Sequence, residues 1–297
     1  MLTATRPVSP ITVRATALVA DRRPAAEEIG RSLAGVVSDP TAFADHLRAG
    51  FASLADPEYL DSERRVAPGI GTLHGVRWPL IEAVRRGFRE ATRKERTSGW
   101  LEVADRLLRE PELEARWFAF GLLERLVDDD TERAWQLIRR AARDAADWIT
   151  VDSLAHPVGK GILHEPYRWA ELEQLVFSPS RWERRLVGST IATMPFVDRR
   201  RGRAPEVPTH GLGLVGDLIG DAEPDVQKAL AWALRSLVAS ASRNAVAASR
   251  STADRIRAKL DGIRRRGGAP STSRAADIAG RFGDGILGRP MPEPPLT

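Results

Sequence analysis

The sequence predicts an all-α fold, and three observations carry that prediction. Apolar residues recur at intervals of three and four, as an amphipathic helix requires. Pro111–Leu126 shows this best, with Leu113, Trp117, Phe120, Leu123 and Leu126 on one face and Glu112, Glu114, Arg116 and Glu124 elsewhere. Proline follows an acid or Ser at Asp39-Pro40, Glu110-Pro111, Ser178-Pro179 and Glu223-Pro224, where its missing N–H costs nothing in a first helical turn. No alternating apolar–polar run of the kind a half-buried strand shows competes with these signals.

Taken in order, the periodicity predicts helices near 40–54, 79–93, 97–108, 111–127, 131–147, 148–155, 169–177, 180–194, 211–220, 224–240, 252–265 and 272–282. Residues 1–35 read as a partly disordered extension. The first 20 contain Arg6 and Arg14, no acid, and no apolar segment long enough for a secretory signal. Residues 57–75 read as a loop leading to Trp78, and Ser180 with Glu183 has the spacing of a capping box. A second interruption at 198–210 holds four arginines between Arg199 and Arg203, with Pro205 and Pro208. Gly267–Thr272 is a linker by composition and Met291–Pro295 cannot hold a helix, so 266–297 reads as a partly disordered tail. One domain, 36–265, is left between them. Its helix pairs restart roughly every 30–45 residues, near the ~40–47-residue period of HEAT and armadillo repeats. The predicted architecture is a right-handed superhelical solenoid of HEAT-like repeats whose concave face suits something long.

Composition narrows the chemistry. Cysteine is absent, which excludes disulfides, thiolate metal sites and cysteine nucleophiles. No apolar run approaches the ~20 residues of a membrane span. The net charge is only +5, yet just four of the 45 basic residues are lysine. A GC-rich genome explains such an arginine excess as well as function does. The clusters at 199–203 and 250–274 favour a polyanionic partner, because each neutralised phosphate releases condensed counterions.

Several strings fail on context. Gly211-Leu212-Gly213-Leu214-Val215-Gly216 matches a dinucleotide fingerprint, but a proline-broken polar stretch precedes it where a strand is needed, so it reads as a glycine-rich helix start. Gly159-Lys160-Gly161 lacks the rest of a P-loop, and the five histidines give no pair at ligand spacing. Asp128-Asp129-Asp130 reads as acidic capping of the next helix.

Three helical segments combine aromatic, acid and base. Trp148 and Asp152 are i, i+4, so one face presents an indole beside a carboxylate. Arg181, Arg184 and Arg185, at i, i+3 and i+4, form a cationic face in the segment that holds Trp182. Trp232 shares a face with Lys228 and Arg235.

These segments resemble the AlkD-type DNA alkylation repair proteins, HEAT-like DNA glycosylases. The family's W-x-x-x-D matches Trp148 and Asp152, its W-x-x-R matches Trp182 and Arg185, and its Q-K-A-x-x-W-x-L-R matches Gln227 to Arg235. Flanking similarity extends to Gly69–Thr72 and Pro111–Leu126, so the resemblance covers roughly 40–260. The family's early cleft aromatic has only Tyr59 as a candidate. The resemblance implies a monofunctional, monomeric glycosylase in the cytoplasm, associated with the nucleoid, that excises N3- or N7-alkylated purines from duplex DNA without metal or nucleotide cofactor. Asp152 would stabilise the oxocarbenium-like charge between Trp148 and Trp232, with Arg185, Arg181, Arg184, Lys228 and Arg235 toward phosphates. A catalytically silent binder of damaged or branched DNA and a HEAT-type protein scaffold stand as alternatives.

Overall fold

A computed structural model of the chain describes residues 9–94, 97–197 and 207–245. Every regular element among them is helical, and an isolated bridge between Thr72 and Glu112 is the extended pairing seen there. The arginine clusters at 199–203 and 250–274, the two helices expected at 252–265 and 272–282, and the tail lie outside the described residues. The chain divides into two compact units, 1–129 and 130–297.

The first unit contains α1 (Pro10–Leu33), α2 (Pro40–Leu54), α3 (Pro57–Val66), α4 (Trp78–Ala91), α5 (Trp100–Leu107) and α6 (Leu113–Asp129). The expected start at Asp39-Pro40 forms, and Asp56-Pro57 makes another in a stretch expected to be a loop. Asp39 accepts hydrogen bonds from the N–H groups of Thr41 and Ala42, and Asp56 does the same for Glu58 and Tyr59. The core is aromatic, with Phe43 edge-on to Phe88 at 5.5 Å and Phe88 against Trp100 at 5.0 Å.

Two expectations need correcting here. Residues 10–33 are a 24-residue helix capped by Ser9, packed on α4. A Cβ on Gly30 would collide with the Val84 carbonyl, and one on Gly87 with that of Glu27, so the two backbones touch directly. Small residues make this seam, so no large-apolar stripe announces it. The expected loop 57–75 begins with α3, and the true connection is shorter. It is held by Glu114, which is buried and accepts from the N–H groups of His74, Gly75 and Val76. Glu114, read as lying off the buried face, is thus an interior ligand for loop backbone.

The second unit contains α7 (Thr131–Asp144), α8 (Trp148–His164), α9 (Trp169–Leu175), α10 (Arg181–Val197), α11 (Val207–Leu218) and α12 (Pro224–Ala245). α8 packs on α10 and α10 on α12, so every second helix meets the next. The GxGxxG string lies inside α11, as a helical reading requires, with Gly211 against Ile191. Gly159 and Gly161 are likewise contact points, against Met194 and Trp135. α8 runs to His164, beyond the expected 155, carrying Pro157 within it.

Gly188 sets the α10–α12 spacing. A Cβ there would stand 2.9 Å from the Ala229 carbonyl carbon and 3.0 Å from Leu230 N, both backbone atoms that cannot rotate away. Gly188→Ala is therefore expected to destabilise the protein by about 1–3 kcal/mol, the usual cost of overpacking, read as a lower urea midpoint. An unchanged midpoint would show that the helices separate freely.

Candidate functional site

Asp147 starts α8. Its carboxylate accepts from Thr150 N at 2.7 Å and Thr150 Oγ1 at 2.6 Å, which fixes the first turn. Trp148 is the first helical residue and Asp152 lies one turn on, so the expected indole–carboxylate face forms. Both are half-buried.

From α10, Arg185 meets this carboxylate with a fork. Its Nε donates to Asp152 Oδ1 at 3.1 Å and its Nη2 to Oδ2 at 2.7 Å, while Nη1 donates to the Asp225 carbonyl of α12 at 2.7 Å. The guanidinium carbon sits 5.9 Å from the Trp148 ring centroid. Ser189, one turn along α10, donates from Oγ to Asp152 Oδ1 at 2.5 Å and is fully buried. The Arg185 side chain is 5% exposed and that of Asp152 20%. The carboxylate thus has donors behind it and one accessible side.

The expected cationic face of α10 is not an open one. Arg185 is committed to the Asp152 carboxylate and the Asp225 carbonyl. Arg184 pairs with Asp221 at 2.6 Å and donates to the Ser178 and Pro179 carbonyls, tying α10 to the turn before α12. Arg181 alone is exposed, stacked 4.7 Å over Trp182 with Glu223 at 3.7 Å. Arg184 and Arg181 meet acids of the stretch before α12, Asp221 and Glu223, while the acid that Arg185 meets is Asp152 of α8. The capping box differs too: Ser180 N donates to Ser178 Oγ at 3.0 Å, and the Ser178 hydroxyl donates to Glu183.

On α12, Gln227 donates to the carbonyls of Ile219 and Asp221, at 3.1 and 2.8 Å, and holds the α11–α12 turn. Lys228 is exposed, 3.3 Å from Asp225. Trp232 and Arg235 continue the same face, Trp232 half-buried and Arg235 exposed. Trp232 shares no ring contact or hydrogen bond with Trp148 or Asp152. Tyr59 lies in the first unit, with the Arg77 guanidinium 4.9 Å from its ring, and burial pushes its phenol well above the ordinary tyrosine range.

Sequence reasoning missed Ser189 as a site residue. Its spacing of four from Arg185 is the signal, since both then face α8. Among the described residues no group of His, Asp and Glu is arranged to hold a metal, and no helix is long and apolar enough to cross a membrane.

No curated protein matches the chain. The family model described as DNA alkylation repair enzyme matches residues 47–252, a span that contains α8, α10 and α12 and every residue of this site. The chain belongs to the DNA alkylation repair enzyme family.

Proposed function

We propose that the protein is a monofunctional glycosylase that hydrolyses the N-glycosidic bond of N3- or N7-alkylated purines in duplex DNA. The observation that carries this reading is the Asp152 carboxylate, fixed from behind by Arg185 and Ser189, accessible on one side, beside the Trp148 indole.

An alkylated purine already bears positive charge, so it departs without a general acid. The bond electrons return to the purine ring and discharge it. Positive charge then develops at C1′, where a preorganised carboxylate stabilises it. Asp152 also orients the water that adds to C1′ and takes up the proton that water releases, passing it to solvent. Trp148 and Trp232 offer indole faces to the positively polarised sugar, contacts worth ~0.5–2 kcal/mol each in cation–π systems. Arg181, Lys228 and Arg235, the exposed cations of this unit's site helices, take the phosphates. Arg184 and Arg185 serve these contacts indirectly, by holding the helices that carry them. A superhelical stack of HEAT-like hairpins is part of the reading, supported by the succession of contacts from α8 to α10 to α12.

The test is release of free base from duplex DNA bearing 7-methylguanine, 3-methyladenine or bulkier cationic adducts, with abasic sites counted in parallel. Base release with equimolar abasic sites is expected. Tight, salt-sensitive binding without base release would select the silent DNA binder, and indifference to DNA and salt a protein scaffold.

A further inference from the structure

Asp152 accepts three hydrogen bonds, divided unequally between its oxygens. Oδ1 takes Arg185 Nε at 3.1 Å and Ser189 Oγ at 2.5 Å, whereas Oδ2 takes only Arg185 Nη2 at 2.7 Å. A carboxylate has about four lone-pair sites, two on each oxygen. Oδ1 is saturated, and the uncommitted lone pair lies on Oδ2. The contact is deeply set: Ser189 is 0% exposed. One turn further along α10, the Thr193 hydroxyl lies 3.2 Å from the Ala155 carbonyl of α8 and 3.0 Å from the Thr190 carbonyl of its own helix, with one proton to share between them.

Resting on the glycosylase reading, we infer that Ser189 is a positioning residue for the reaction. Its hydroxyl completes Oδ1 and so makes Oδ2 the oxygen that meets the charge at C1′ and the attacking water. The terminal torsion of an aspartate is broad. Arg185 alone leaves one lone pair open on each oxygen, and the carboxylate can then tilt and present either. Ser189 removes that ambiguity without touching DNA, so its effect belongs to the chemical step and not to binding.

The experiment measures single-turnover release of 7-methylguanine, and DNA affinity, for the full chain carrying Ser189→Ala. Base release is expected to slow roughly 10- to 100-fold, the scale of one hydrogen bond to a charged group, with Kd within about twofold of wild type. Ser189→Cys fills the space with a much weaker donor and is expected to lose rate similarly, so a folding defect confined to alanine cannot mimic the result. In an Asp152→Ala background, Ser189→Ala is expected to cost nothing further, because the hydroxyl acts through that carboxylate. Wild-type rates in both single variants, or a full cost persisting in the Asp152→Ala background, would overturn the inference. Wild-type excision by Asp152→Ala would remove Asp152 from the mechanism and this inference with it, whereas no base release by the wild-type chain would overturn the glycosylase reading instead.

Discussion

Asp152→Asn is expected to lower the rate of base release by about 100- to 1,000-fold while DNA affinity is retained, by comparison with loss of one preorganised electrostatic stabiliser elsewhere. The substitution is nearly isosteric, so α8 and the Trp148 indole keep their places. On the glycosylase reading, what disappears is negative charge at the point where positive charge develops. The asparagine oxygen can still accept from Ser189 or Arg185, but its NH₂ group must face one donor, which also leaves the Arg185 guanidinium without a counter-ion. Single-turnover release of 7-methylguanine gives the rate, fluorescence anisotropy on the same duplex gives the affinity, and circular dichroism checks folding. Excision at the wild-type rate would remove Asp152 from the mechanism.

Arg185→Ala carries the second large effect, and it is expected in stability as much as in activity. The side chain is 5% exposed and satisfies Asp152 on α8 and the Asp225 carbonyl on α12 together. Removing one partner of such a pair typically costs about 3–5 kcal/mol, because the remaining charge is left with neither counter-ion nor full hydration. In a protein of this size the thermal midpoint is expected to fall by roughly 10 °C. Arg185→Lys separates charge from shape: an ammonium keeps the attraction but cannot span both carboxylate oxygens and the carbonyl. It is expected to recover part of the stability and less of the rate. A midpoint unchanged in Arg185→Ala would show that the pair is an exposed one worth little.

How much of this could be read from the chain differs by element. Trp148 and Asp152 were legible together because both lie on one helix, and helical periodicity alone sets their relation. Arg185 was legible as a cation on its face of α10, but its partner was not. Which anion a long cation meets depends on helices far apart in sequence, and Asp152 is visible as the partner of Arg185 only once α8 lies against α10. Ser189 sits in an apolar run and looks like a tolerated small residue until Asp152 stands opposite. α1 escaped notice because its contacts use Ala26, Gly30 and the backbone of α4, which leave almost no pattern in hydropathy. Glu114 misled for the opposite reason: a charged residue on a helix suggests solvent, and this one is buried against the N–H groups of His74, Gly75 and Val76.

The three-way grip of Arg185 bears on how this protein could change over generations. If the glycosylase reading holds, a lineage that exchanged catalysis for mere recognition of DNA could not simply discard Asp152, since that step strands an interior cation between α8 and α12. Positions 152 and 185 would have to drift together, through an intermediate less fit than either end. The same chemistry that sharpens the carboxylate thus also resists its loss, and a homologue in which one of the two has changed is expected to show the other replaced as well.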